Sequence, residues 1–139
     1  FFSSLRNSFP FERFGLSPDK KVEIKQFKLP QSLLRLLWNK LHVIPIETFL
    51  GDLDVFITSD WTEPPARHAK KITILYDLVV YKTPDEMDKT VINTQKEKLK
   101  WVKKESKMII CISESTKKDA EKILGIEGDR LRVIYPGTF

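Results

Sequence analysis

The short apolar run Met108-Ile109-Ile110-Cys111-Ile112, broken off by Ser113-Glu114-Ser115, limits what this chain can become more than any other stretch. A continuous run of that kind suits a strand covered on both faces better than one alternating between core and solvent. Beyond it, Ala120, Ile123 and Leu124 fall at i, i+3 and i+4 of a helix, with Ser113 or Ser115 as N-cap and Gly125 as C-cap. Glu127-Gly128-Asp129 supplies a turn, and Leu131 to Tyr135 reads as a second strand closed by Pro136-Gly137. Strand, helix and strand within about thirty residues form a βαβ unit, whose strands run parallel.

The preceding residues extend the same pattern. Val22 to Phe27 alternates apolar with polar and predicts an edge strand, while Phe1, Phe2, Phe9, Phe11 and Phe14 are too apolar for a solvated tail and are expected to pack. After Pro30, Leu33, Leu34, Leu36, Leu37, Trp38 and Leu41 make a broad helical stripe. It reads as a helix packed on the sheet; a lipid-facing surface helix is the other reading, given its Leu-Trp face and basic flanks. Asp54 to Thr58 is the next expected strand, running into Ser59-Asp60-Trp61. Residues 59 to 71 hold Pro64 and Pro65 and no helical period, and so form a long connection of the kind that is usually functional or mobile. Ile72 to Leu75 is a further strand, ending at Tyr76-Asp77. From Pro84 to Lys107 the spacing is helical, with Met87, Val91, Leu99 and Val102 on one face. Lys96, Lys98, Lys100, Lys103 and Lys104 load its second half and read as a solvated surface matched to the helix dipole. The fold class expected is α/β, a Rossmann-like parallel sheet flanked by helices, in a single domain spanning 1–139.

Composition narrows the function classes. Hydrophobic residues at 41% and charged residues at 31% of 139 describe a globular domain rather than a disordered chain. A net charge of +5 favours anionic partners. The lone Cys111 excludes an internal disulfide and a multi-cysteine metal site, and its apolar strand makes it a packing residue; a cytoplasmic protein is expected. No apolar run approaches the ~20 residues of a membrane span, so membrane contact would be peripheral, at the inner face. His42 and His68 stand far apart, and no CxxC, GxGxxG or GxxxxGK[ST] pattern occurs, so neither a metal nor a cofactor is expected. No nucleic-acid-binding module is recognisable either, and no nucleic-acid partner is expected.

In an open parallel sheet, ligands bind beyond the carboxyl ends of the strands. Here those ends carry Asp60 and Trp61, Tyr76 and Asp77, and Ser113 and Glu114, which would line one rim if the strands are neighbours. Lys117 and Lys118, in the first turn of a helix starting after Ser115, would oppose the positive end of its dipole. An anion such as a substrate phosphate held there would resolve that opposition.

Several blocks in order, Phe49 to Phe56, Pro64-Pro65, Lys71 to Leu78, Ile112-Ser113-Glu114-Ser115 and Val133-Ile134-Tyr135-Pro136-Gly137-Thr138, resemble the N-terminal domain of the family 4 glycosyltransferases, retaining enzymes of the GT-B fold. The likeness runs from Leu34 onward. It implies the acceptor-side half of an enzyme that moves a hexose from a nucleotide diphosphate sugar to a carbohydrate, lipid or small-molecule acceptor without a required metal. Trp61 would be a sugar-stacking platform, Asp77 and Glu114 acceptors for sugar hydroxyls, and Ser113 a cap or a phosphate ligand. Where the family has a His-Asp pair, this chain has Tyr76-Asp77, and tyrosine can still donate and accept a hydrogen bond. The family's glycine-rich loop is not visible, the chain opens at Phe1 without methionine, and it stops at Phe139, where such enzymes lead on to the donor domain. A fragment of a longer protein, inactive alone, is therefore expected. The alternatives are a non-catalytic binding module for a phosphorylated ligand and a nucleotide-sugar epimerase of the same fold.

Overall fold

The computed structural model describes Lys25, residues 27–59 and residues 61–137. The phenylalanine-rich start, most of the stretch 22–27 and the site candidate Asp60 lie outside the described residues; Lys25 and Phe27 are not in a strand.

A four-stranded, all-parallel sheet of sequential order carries the fold: β1 (Val55–Thr58), β2 (Lys70–Leu75), β3 (Met108–Cys111) and β4 (Leu131–Val133). Parallel neighbours need crossover connections. Between β1 and β2 the crossover is the expected irregular segment, without helix or strand. Between β2 and β3 it comprises α3 (Val79–Lys82), a 3-10 turn at Pro84–Glu86 and the long α4 (Lys89–Glu105). Between β3 and β4 it is α5 (Glu114–Asp119), continued by a π-helical turn over Ala120–Leu124. Ahead of the sheet, α1 (Gln31–Leu34) runs on as a π-helical segment over Arg35–Lys40, and α2 (Glu47–Leu50) ends at Gly51, whose φ of 80° suits glycine.

The helix ends follow the residues that can satisfy them. The Asp88 carboxylate accepts from Thr90 N–H to open α4, and Ser113 Oγ accepts from Thr116 N–H to open α5. Gly125 closes the latter helix in the left-handed region, as its position predicts. At the end of α4, Arg130 reaches back and donates to the carbonyls of Lys103 (2.9 Å) and Ser106 (2.6 Å), placing a cation on the negative end of the dipole.

Register decides the core. Thr73, Ile109 and Leu131 are aligned across the sheet, as are Leu75, Cys111 and Val133, and on this face Leu99 and Val102 of α4 pack with Ala120 and Leu124. A second cluster of Leu34, Trp38 and Ile46 packs against Phe56, on that same face of β1. The sheet is therefore covered by described helices on one face only. On the other, Val55 and Ile57 are 47% and 55% exposed, and Ile72, Ile74 and Ile110 are half-buried. The broad stripe after Pro30 divides in the same way: Leu34 and Trp38 are buried, whereas Leu33, Leu36 and Leu41 stay exposed. A helix with apolar residues over so wide an arc can turn only part of it to one core. Cys111 is fully buried, and burial pushes its thiol up to about 11, consistent with a packing role. No helix among the described residues is long and apolar enough to cross a membrane.

Ile109→Ala, at a fully buried position, should cost about 2–5 kcal/mol in urea unfolding, and Ile57→Ala well under 1 kcal/mol. Equal losses would contradict the one-sided core. A second expectation concerns Glu47, whose Oε1 accepts from the backbone N–H groups of Arg67, His68 and Ala69 and so ties α2 to the connection before β2. Burial opposes the charge, but those hydrogen bonds outweigh it and bring the carboxyl from 4.5 down to about 2. A depressed folded-state pKa contributes stability above the unfolded value that is lost as pH falls through the folded one. Stability should thus decline between about pH 5 and pH 2, and Glu47→Gln should lessen that decline in urea titrations.

Candidate functional site

The connection from β1 to β2 leaves the carboxyl end of β1 and returns the chain to the start of the parallel β2. Within it Glu63, fully buried, carries its charge into a prepared polar cluster. Lys71 Nζ, 3% exposed, lies 3.0 Å from Glu63 Oε1 and 3.0 Å from Glu105 Oε2. Thr58 Oγ1 donates to Glu63 Oε2 at 2.7 Å, and Thr73 Oγ1 lies 2.9 Å from Thr58 Oγ1 and 2.7 Å from Ser106 Oγ. At the far side, His42 Nε2 donates to Glu105 Oε1 (2.8 Å) and Nδ1 to Trp38 O (2.8 Å), with its ring stacked 3.6 Å from that of Trp101. Both ring nitrogens face oxygens, which fixes the plane of the imidazole. Burial works against the Glu105 charge, but the hydrogen bonds and positive charge of Lys71 and His42 prevail and hold its carboxyl below the usual value.

Asn39, in the π-helical segment, ties this cluster to the rim. Its Nδ2 donates to Trp61 O (2.8 Å), its Oδ1 accepts from Glu63 N–H (2.9 Å), and its own carbonyl accepts from Trp101 Nε1 (2.6 Å). The backbone of Trp61 is thereby fixed while its indole stays 42% exposed. The turn after α1 is held under strain: His42 and Ile44 have φ of 54° and 63°, and Trp38 Nε1 donates to Ile44 O (3.0 Å).

Trp61 lines two cavities beside the carboxyl end of β2. The smaller, about 270 Å³, is formed by Trp61, Tyr76 and Asp77 with Val80, Met87, Val91, Gln95 and Lys98. The larger, about 420 Å³, is formed by Trp61 and Thr62 with Gln31, Ser32 and Arg35 of the first helix and Thr90, Val91 and Thr94 of α4. The structure thus gathers Trp61, Tyr76 and Asp77 around one space. Tyr76 and Asp77 are exposed; Asp77 Oδ1 accepts from Val79 N–H (3.0 Å), so it also starts α3.

Ser113, Glu114, Lys117 and Lys118 stand off the lining of both cavities, at the end of β3. Thr116 Oγ1, which donates to Tyr76 O (3.0 Å), connects that strand end to the rim. Ser113 acts as the cap, so Glu114 occupies the first turn and matches the dipole. Lys117 and Lys118 therefore fall beyond the first turn, with Lys117 N–H donating to Ser113 O (3.1 Å), and the opposition that motivated an anion there disappears.

Three positions in and around the candidate site escape a sequence reading. Lys98 is 3% exposed rather than part of the solvated lysine face. Its spacing carried the signal: it lies seven residues after Val91 and four before Val102, on the inward stripe. Glu63 and Arg35 have no such signal, because their surroundings come from distant segments. Among the described residues no group of His, Cys, Asp and Glu side chains could hold a metal ion. No protein-family profile, curated protein or solved structure matches the chain.

Removing one member of a buried pair leaves the other uncompensated. Lys71→Met should cost about 3–5 kcal/mol, since it strands Glu63 among hydroxyls. Glu63→Gln should cost less, because Lys71 retains Glu105, and the double variant should recover part of the loss. Urea unfolding of the three proteins checks this; Glu63→Gln proving the more damaging single change would refute the assignment.

Proposed function

We propose that this chain is the acceptor-side domain of a retaining glycosyltransferase of GT-B type, which in the whole protein moves a hexose from a nucleotide diphosphate sugar to an acceptor. The observation that carries the reading is the convergence of Trp61, Tyr76 and Asp77 on one cavity at the carboxyl end of a parallel strand. That is where open α/β sheets bind ligands, and the resemblance in sequence adds to it. An exposed indole beside a carboxylate suits a sugar, with apolar ring faces for stacking and hydroxyls for the acceptor oxygens of Asp77. Tyr76 adds a group that both donates and accepts. Lys98 is buried in the same lining. In transfer the acceptor hydroxyl oxygen bonds the anomeric carbon as the bond to the diphosphate breaks, the diphosphate keeping the electron pair and taking up the hydroxyl proton. A donor domain closing on this rim would exclude water.

A cytoplasmic enzyme touching the inner membrane face fits the surface of the first helix. Leu33, Leu36, Leu41 and Val43 are exposed beside Lys40, an arrangement suited to an anionic leaflet. The second reading, a non-catalytic module for a phosphorylated ligand, is favoured by the net charge of +5 and by Arg35 in the lining of the larger cavity.

The test is transfer from labelled nucleotide sugars by the full-length protein. Asp77→Asn keeps an oxygen for Val79 N–H but loses the charge, and should lower kcat/KM for the acceptor about 10- to 100-fold with the donor KM unchanged. Glu114→Ala, off the cavity, should stay near wild type. Absence of transfer with every donor and acceptor pair, together with tight binding of a phosphorylated ligand, would favour the binding module.

A further inference from the structure

Among the described residues lining the 420 Å³ cavity, Arg35 is the single ionisable side chain. Arg35 is half-buried, and its Nη1 donates to the Oγ1 of Thr94 at 3.0 Å. Thr94 is itself buried, and its hydroxyl proton is committed to Thr90 O at 2.7 Å, so it accepts from the guanidinium and fixes its direction. Among the described residues no carboxylate lies within ion-pairing distance of Arg35; the ion pairs found there involve His42, Lys71 and Lys82. Arg130 differs, since its charge is absorbed by the carbonyls at the end of α4. A cation drawn partly out of water without a counter-charge is costly, and an anionic ligand would remove that cost.

We propose that this cavity is a binding site for a phosphate monoester, presented on a sugar or on a lipid headgroup. Four of the five guanidinium N–H groups are not used by Thr94, and Arg35 grips two phosphate oxygens with a fork of them. Trp61, exposed at the wall, offers its face to the attached ring, and the Ser32, Thr62 and Thr90 hydroxyls provide neutral partners. Among the described residues of the lining no carboxylate repels an anion. Taken with the glycosyltransferase reading, on which this last step rests, the site makes the natural acceptor a phosphorylated molecule.

The experiment titrates the full-length protein with inorganic phosphate, glucose 6-phosphate, inositol 1-phosphate and glucose, following tryptophan fluorescence and heat. Vesicles of phosphatidylcholine with and without phosphatidic acid form a separate arm. At least one phosphorylated solute should bind ten times or more tightly than glucose, with inorganic phosphate competing. Arg35→Gln, which keeps a donor for Thr94, should abolish that preference, and Arg35→Lys should restore only part of it. Binding of the solutes alone identifies a free sugar phosphate, whereas sedimentation with phosphatidic acid vesicles that Arg35→Gln abolishes identifies a lipid headgroup. Equal affinity for glucose and the phosphorylated probes, no response to any of them, or unchanged affinity in Arg35→Gln would overturn the proposal. If Arg35→Gln does not fold, a shift of the wild-type Arg35 and Trp61 side-chain N–H resonances with inorganic phosphate decides, and no shift overturns it. Phosphate binding without sugar transfer would leave this site standing and sink the enzyme reading. Sugar transfer with wild-type efficiency toward the phosphorylated acceptor in Arg35→Gln would do the reverse.

Discussion

The contact between Lys71 and the two carboxylates of Glu63 and Glu105 decides how the rest of the molecule is arranged. Removing Lys71 and Glu63 from water is expensive, and it is tolerated here because the carboxylate oxygens meet partners: Lys71, Thr58 and Thr73 for Glu63, and Lys71 and His42 for the half-buried Glu105. The groups come from separate segments of the chain, and satisfying them fixes the β1–β2 connection, the last turn of α4 and the turn after the first helix at once. An apolar cluster of equal volume would hold these segments together, but it would specify their relative positions less sharply.

The candidate site is a by-product of that placement. While Glu63 is drawn inward, Asn39 anchors the segment by the carbonyl of Trp61 and the amide of Glu63. The side chain of Trp61 is left pointing between β2 and α4 on a backbone that has little freedom. Rigid backbone under an exposed aromatic is the arrangement expected of a recognition surface, in which ordering costs are met on folding instead of on binding. The positive φ at Ile44, costly for a β-branched residue by about 1–3 kcal/mol, is held by the indole of Trp38 from within the same assembly.

Much of the fold was legible in the sequence. The apolar runs at Ile72 and Met108, the Ser113 cap and the Gly125 stop each correspond to an observed element, and consecutive βαβ spacing gave a parallel sheet. The pattern misled where composition stood in for position. Met108 to Ile112 reads as covered on both faces, yet Ile110 and Ile112 are only half-buried, because the described helices all pack on the other side. Lys98 was absorbed into a lysine run although its spacing marks it as inward-facing. Of the rim residues, Trp61, Tyr76 and Asp77 were readable because strand ends converge in a parallel sheet, whereas Ser113 and Glu114 are occupied with starting a helix. Arg35 and Glu63 were not readable at all. Arg35 draws its meaning from Thr94 in α4, and Glu63 from Lys71 in β2 and Asn39 in the π-helical segment, and local pattern carries no information about partners in other elements except at strand ends.

Trp61 and Val91 both belong to the walls of the two chambers beside the carboxyl end of β2. Of these two side chains the indole is the exposed one, so a turn of that ring would reshape both compartments at once, and a guest in either would be felt by its neighbour through the same residue.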